Sequence, residues 1–368
     1  MKDQENIYVT EPFLPPLEEC LPYFHEIWKS KILTNNGPLL QEFEKKLRCY
    51  FEVENISVVN NATTGLMLAC KALELKGEII TTPFSFIATS HVLDWIGLKP
   101  VFTDVDPIYG NINPELVRKN ITPKTGGILA THNFGFPAQI EELDAIAKEF
   151  NLPLIFDAAP AMGVKYKGKQ LISYGDASVL SFHATKVFTT FEGGAVHSEN
   201  KDVHEKINLY RNFGIVDENT VGGPGINGKM SEFQSTIGLV QLKYININIA
   251  ERKNRYIKYA SLLHGIKGIV VPKLPDDLEY NFAYFPVYIT KGSLVREKII
   301  KSLRAKDIYC RKYWSPLITD HQHYKKVGEF YPNASKLAKQ IISLPMGNNV
   351  SDALIDIVCN VINEALDE

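Results

Sequence analysis

Short apolar runs and amphipathic stretches alternate along the first two-thirds of the chain. Ile56-Ser57-Val58-Val59, Glu78-Ile79-Ile80-Thr81, Lys99-Pro100-Val101-Phe102, Gly127-Ile128-Leu129-Ala130, Leu152-Pro153-Leu154-Ile155-Phe156 and Ser178-Val179-Leu180-Ser181-Phe182 are brief and largely apolar, the pattern of buried strands. Between them lie stretches with helical spacing. Residues 63–73 place Leu66, Leu68, Ala69 and Ala72 on one side, 87–96 read as a second helix, and 140–150 are amphipathic. This alternation predicts an α/β fold: a mostly parallel sheet with helices on both faces.

After Gly222-Gly223-Pro224-Gly225 the pattern changes. Residues 231–244 and 249–264 read as two long helices with a short break. A strand over 282–289, a helix over 293–305, a strand near Ile308 and a closing helix over 351–366 follow, as in a smaller α/β domain. Phe13-Leu14-Pro15-Pro16 reads as an extended arm that reaches toward a partner subunit. The expected organisation is an N-terminal arm (1–30), a large domain (31–245) and a small C-terminal domain (246–368). No internal repeat or low-complexity stretch interrupts it.

Composition narrows the class. A formal net charge of −2 with 45% hydrophobic and 22% charged residues is that of an ordinary soluble globular protein, with no nucleic-acid surface. Arg252-Lys253 reads as a solvated helix face. Cys20, Cys49, Cys70, Cys310 and Cys359 show no CxxC or metal-ligand spacing, and scattered thiols fit a reducing cytoplasm. The start, Met1 to Asn6, is polar, without the apolar core of a signal peptide. No run approaches the roughly 18 apolar residues of a membrane span.

In a parallel sheet, ligands bind at the carboxyl ends of the strands. One such end delivers Asp157-Ala158-Ala159. Another delivers Ser181-Phe182-His183-Ala184-Thr185-Lys186, followed by Glu192-Gly193-Gly194. A lysine and an acid at two strand ends of one sheet suit pyridoxal phosphate, which needs an amine to hold it as an imine and a carboxylate against its pyridinium nitrogen. Asn61-Ala62-Thr63-Thr64-Gly65, between a strand and a helix, is either a phosphate seat or an ordinary N-cap. Phe86 is either a ring that stacks on a planar cofactor or a core residue. Ser181 is either a phosphate donor or a satisfied strand-end hydroxyl. His132, His183, His321 and His323 form no metal pattern. The absence of GxSxG argues against a serine hydrolase, and the absence of GxGxxG after the first strand against a nicotinamide enzyme.

Together these segments resemble the DegT/DnrJ/EryC1/StrS sugar aminotransferases, pyridoxal phosphate enzymes of fold type I. The resemblance also rests on Asn36-Gly37-Pro38 with Phe43-Glu44, Pro83-Phe84-Ser85-Phe86-Ile87-Ala88-Thr89, Asp104-Val105-Asp106 and Gly175-Asp176. It continues through Arg211-Asn212-Phe213-Gly214 and Asn227-Gly228-Lys229-Met230-Ser231-Glu232. It implies that Lys186 holds the cofactor and shuttles protons, Asp157 pairs with the pyridine nitrogen and Phe86 stacks on the ring. Ala62, Thr63, Thr64 and Ser181 would hold the phosphate. Asn227 would reach it from the neighbouring subunit, making a homodimer with shared sites. Two positions depart from the family. Pro160 stands where a Gln or His usually lies near the cofactor's ring oxygen, a contact that is then either absent or supplied elsewhere, with His183 the candidate. Lys229 replaces an arginine.

Within that family, Phe13-Leu14-Pro15-Pro16, Thr34-Asn35-Asn36-Gly37-Pro38 and His183-Ala184-Thr185-Lys186 resemble the group that aminates dTDP-4-keto-6-deoxyglucose with L-glutamate for O-antigen or other surface glycans. Thr34, Asn35, Tyr313 and His321 are the expected contacts to the sugar nucleotide. A 3-keto sugar nucleotide is the alternative substrate. A sugar dehydratase on the same fold would carry histidine in place of Lys186, and a non-catalytic regulator would not need the pairing of Asp157 with Lys186.

Overall fold

Seven strands form the central sheet of the computed structural model, which describes residues 6–367. The polar start, Met1 to Glu5, lies outside the described residues. The strands are β1 (Ser57–Val59), β2 (Glu78–Thr81), β3 (Lys99–Phe102), β4 (Thr125–Thr131), β5 (Leu154–Asp157), β6 (Ala177–Ser181) and β7 (Gly194–His197), in the spatial order β1-β7-β6-β5-β4-β2-β3. All run parallel except β7, which is antiparallel to β1 and β6. The mixed α/β architecture therefore matches the expectation.

Alternation along each strand feeds two cores. Val59, Leu129, Ile155, Val179 and Val196 pack on one face with Leu66 of α3 (Ala62–Ala72), Val92 of α4 (Ala88–Trp95) and Ile207 of α7 (Lys201–Tyr210). Val58, Ile128, Phe156 and Leu180 pack on the other with Phe43 and Leu47 of α2 (Pro38–Phe51), Val117 of α5 (Pro114–Asn120) and Leu143 of α6 (Ile140–Phe150). A second, three-stranded antiparallel sheet joins Ile269–Val270, Phe285–Ile289 and Ile341–Leu344.

Three expectations change. The two helices with a break are one helix, α8 (Glu232–Leu263), so the proposed boundary at 245/246 falls inside it. The β-branched and Asn-rich stretch from Tyr244 to Ile249 is weakly helical by itself. Burial of Ile245 and Asn248, and close packing of Gly238 against the Phe43 ring, hold it in register. Next, Leu17–Ser30 is a helix, α1, docked on α8 through Cys20, Phe24, Ile237 and Val240. Among the described residues of this arm only Asn6 to Pro16 is extended, and it bonds to this chain: Ile7–Tyr8 pairs with Ile308–Tyr309, and Gln241 Nε2 donates to the Phe13 carbonyl. Finally, Arg252 is not solvated. It is buried, and desolvation pushes its guanidinium down to about 10; Lys253 is exposed.

Among the described residues, no helix is long and apolar enough to cross a membrane, and no cluster of three or more His, Cys, Asp or Glu could hold a metal ion.

Candidate active site

The parallel strands deliver their chemistry to one edge of the sheet. Asp157 ends β5, Ser181 ends β6, and Lys186 follows five residues later. All three line a cavity of about 300 Å³ together with Asn61, Ala62, Thr63, Phe86, Thr131, Pro160, His183, Tyr284, Tyr313 and Trp314.

Asp157 is buried and held from two sides. Thr89 Oγ1 donates to its Oδ2 at 2.8 Å, and the Ala159 N–H donates to its Oδ1 at 3.1 Å. Burial pushes the carboxyl up, while these hydrogen bonds and the Lys186 charge pull it back down. Ser85 Oγ lies 3.0 Å from Thr89 Oγ1 and extends the chain of hydroxyls. Lys186 Nζ donates to Tyr284 Oη at 3.2 Å.

At the opposite wall, α3 begins. Asn61 is its N-cap: Oδ1 accepts from the Thr64 N–H at 2.8 Å. The N–H groups of Ala62 and Thr63 have no acceptor within the helix. A Cβ on Gly194 would stand 2.9 Å from Ala62 N, so only glycine lets β7 approach this helix start so closely. Asn61 thus caps the helix and the same turn offers donors to an anion; both readings of this segment hold at once.

The site fits pyridoxal phosphate on three counts. Thr131, in register with Asp157 on β4, lines the cavity with a buried hydroxyl that has no hydrogen-bond partner among the described residues. The Phe86 ring lines the cavity yet is 57% exposed, so it is a ring at a ligand's edge and not a core residue. An amine, a buried carboxylate and a helix N-terminus are the donor set that an aldehyde, a pyridine nitrogen and a phosphate require.

The remaining expected residues divide. Tyr313 lines the cavity. His183 lines it too, but its Nδ1 is engaged with Thr185 Oγ1 at 2.8 Å and its Nε2 lies 3.6 Å from Glu192 Oε1. Thr64 is buried behind the helix start, where a Cβ on Gly228 would meet its methyl at 2.9 Å. Thr34, Asn35, Asn227 and His321 are exposed and lie outside this cavity. Asn35 lines a second, polar hollow of about 450 Å³ with Arg48, Arg211 and Lys229. Lys229 Nζ donates to Asn212 Oδ1 at 2.8 Å, and burial pushes it down.

Four lining or supporting residues carried no role in the sequence reading: Thr89, Thr131, Tyr284 and Trp314. Thr89 stands in the same segment as Phe86, three residues on and at the start of α4, so helical spacing could have flagged it. Tyr284 stands just before the strand Phe285–Ile289 and Trp314 lies in a loop after Ile308–Tyr309, and no local pattern marks them.

The chain matches the DegT/DnrJ/EryC1/StrS aminotransferase family over residues 17–363. It belongs to that family. Among the relatives of this aminotransferase, a dTDP-4-amino-4,6-dideoxy-D-glucose transaminase of Shigella dysenteriae is 42% identical over 364 residues, 98% of this chain and 99% of that protein. One of Escherichia coli with the same name is 40% identical over 96% of this chain and 97% of its own length. A crystal structure of DesI in the presence of its TDP-sugar product superposes with a TM-score of 0.93 at 32% identity, covering 98% of this chain and 93% of that one. The aminotransferase is thus a pyridoxal phosphate enzyme.

Proposed function

We propose that this aminotransferase moves an amino group from L-glutamate to dTDP-4-keto-6-deoxyglucose, giving dTDP-4-amino-4,6-dideoxyglucose and 2-oxoglutarate. The observation that carries the reading is the placement of Lys186 and Asp157 at the ends of adjacent parallel strands, on one cavity with a free helix N-terminus. The names of the two transaminases that align over nearly the whole chain support the sugar.

When bound, the cofactor supplies an electron sink for the pair released at the substrate carbon. The protein does the rest. Asp157, fixed by Thr89 and Ala159, would hold the proton of the ring nitrogen. Lys186 would anchor the cofactor and carry the proton that leaves and returns to carbon. Phe86 would stack on the ring. The N–H groups of Ala62 and Thr63 and the Ser181 hydroxyl would hold the phosphate. Ser181 Oγ already accepts from the His183 N–H at 3.3 Å, which leaves its own proton to donate.

A cavity of about 300 Å³ is at the small end for ligand sites and cannot enclose the cofactor and a sugar nucleotide together. The nucleotide must extend past the mouth. That requirement, and the exposure of Thr34, Asn35 and Asn227 away from their own cavity, support a homodimer in which a partner completes each site. His321 would meet the nucleotide outside the cavity mouth. We keep the division into an arm over 1–30, a cofactor domain over 31–245 and a small domain over 246–368, with α8 running across the last boundary. We place the enzyme in the cytoplasm, where an exposed thiol such as Cys49 stays reduced, and its product in O-antigen or other surface glycans.

The test is an amination assay with L-glutamate against a panel of dTDP- and UDP-linked 3-keto and 4-keto sugars, read by mass spectrometry. Amination of dTDP-4-keto-6-deoxyglucose at the highest kcat/KM is expected. Preference for a 3-keto or a UDP sugar would overturn the substrate, and loss of water without amination would overturn the reaction class.

A further inference from the structure

We propose that Tyr284 is a positioning residue, whose hydroxyl orients the Lys186 amine on the cavity wall where Pro160 offers no polar side chain. The proposal rests on the aminotransferase reading of this site. The contact is direct: Lys186 Nζ donates to Tyr284 Oη at 3.2 Å. Tyr284 is 5% exposed, and its ring meets Phe134 and Tyr313 edge-on at 5.8 and 5.9 Å.

Its backbone is equally fixed. Tyr284 stands immediately before the strand Phe285–Ile289, and its carbonyl accepts from Tyr280 Oη at 3.4 Å. The turn ahead of it is tied to the segment after Asp157. Asn281 Nδ2 donates to the carbonyls of Pro160 and Met162 at 2.8 and 2.9 Å, and Asn281 Oδ1 accepts from the Ala283 N–H. Tyr284 is therefore held in one frame with Asp157. Two other polar side chains near Lys186 are engaged elsewhere: His183 with Thr185, and Trp314 Nε1 with Asn133 Oδ1 at 2.8 Å.

A lysine that takes a proton from carbon must aim its lone pair. An amine free to spin about its Cε–Nζ bond spends most of its time misaligned. One N–H fixed on a rigid hydroxyl removes that rotation. No bond forms or breaks at Tyr284. Its oxygen accepts from the nitrogen whether Lys186 is amine or ammonium, so the protons of the reaction balance without it.

The test uses the holoenzyme and Tyr284→Phe, which keeps the ring and its packing. Lys186 serves both half-reactions, so single-turnover rates with glutamate and with sugar should fall by a similar factor, about 10- to 100-fold for one lost hydrogen bond to a charged group, with KM little changed. Tyr313→Phe, by contrast, should slow the sugar half alone. A second reading needs neither substrate. The pH midpoint of the resting enzyme's visible band reports the proton on the Lys186 nitrogen, and loss of an acceptor for that proton should move it down by about half a unit or more. The titration is run well below the variant's melting temperature, so reduced stability does not enter. An unmoved midpoint, or a loss confined to the sugar half, overturns the role of Tyr284 and leaves the substrate proposal standing.

Discussion

Glu232 and Gly37 offer a sharp test of how the sheet domain is tied together. Glu232 opens α8 and is 1% exposed. Its two carboxylate oxygens accept from the N–H groups of Leu39 and Leu40 at 2.9 Å each, in the first turn of α2. The cap residue of α2 is Gly37, which supplies no side-chain acceptor of its own. Glu232 thus caps α2 from across the fold, where the helix dipole favours a negative charge. A Cβ on Gly37 would stand 2.6 Å from Glu232 Cδ, far inside contact distance.

Two perturbations follow. Glu232→Ala removes two charge-assisted bonds and leaves two buried donors without partners, a loss of about 3–5 kcal/mol. Gly37→Ala in the wild type must push the carboxylate off its donors, at about 1–3 kcal/mol. The backbone of Gly37, at φ −70° and ψ 175°, accepts any residue, so in the Glu232→Ala background the same change meets no obstacle. Any intrinsic preference of the cap position cancels in the cycle. The coupling should therefore be at least about 1 kcal/mol, with Gly37→Ala less harmful when Glu232 is absent. Urea unfolding of the four proteins, followed by circular dichroism, measures it. Additivity within about 0.5 kcal/mol would refute the cross-fold cap.

Further outcomes are equally specific. Asp157→Asn keeps the size and the Thr89 contact but removes the charge opposite the ring nitrogen; both half-reactions should slow by at least ~10²-fold in stopped-flow absorbance, and near-normal turnover would rule that role out. His132 is fully buried, stacks on Phe156 at 4.4 Å and is pushed down to about 3 by desolvation. The native imidazole stays neutral while the unfolded chain takes up a proton below about 6.5. The stability from this group is therefore complete above that value and is lost as pH falls toward 3, by about 1.4 kcal/mol per pH unit. Against His132→Asn, the wild type should lose about 2–3 kcal/mol more between pH 6 and 4 in urea titrations; parallel curves would contradict the shift. Mixing inactive Asn227→Ala and Lys186→Ala subunits should restore activity, since each mixed dimer would hold one intact site; no recovery despite subunit exchange would count against shared sites.

Much of the site is legible in the chain because its parts are local. A strand that ends in Asp157, a strand that ends in Ser181 and a cap at Asn61 each declare themselves within a few residues. Strand alternation alone predicts that these ends share one edge of a sheet. The long helix α8 departs from its local pattern for the converse reason: the weak helix formers around Asn246 are overruled by burial, which spacing within the segment does not reveal. Arg252 is buried by the same packing.

The sequence by itself determined the alternation of strands and helices from Ile56 to Phe182, the chemistry at the strand ends and the family to which the chain belongs. Only the tertiary structure decided which distant groups complete that chemistry. Tyr284 meets Lys186 across 98 positions of chain, and Glu232 caps Leu39 across 193. Neither contact has a local signature, because a hydrogen bond depends on a separation of about 3 Å and a direction, while the sequence records only which residues occupy each element. The packing of α8 and the second sheet against the central one sets those separations.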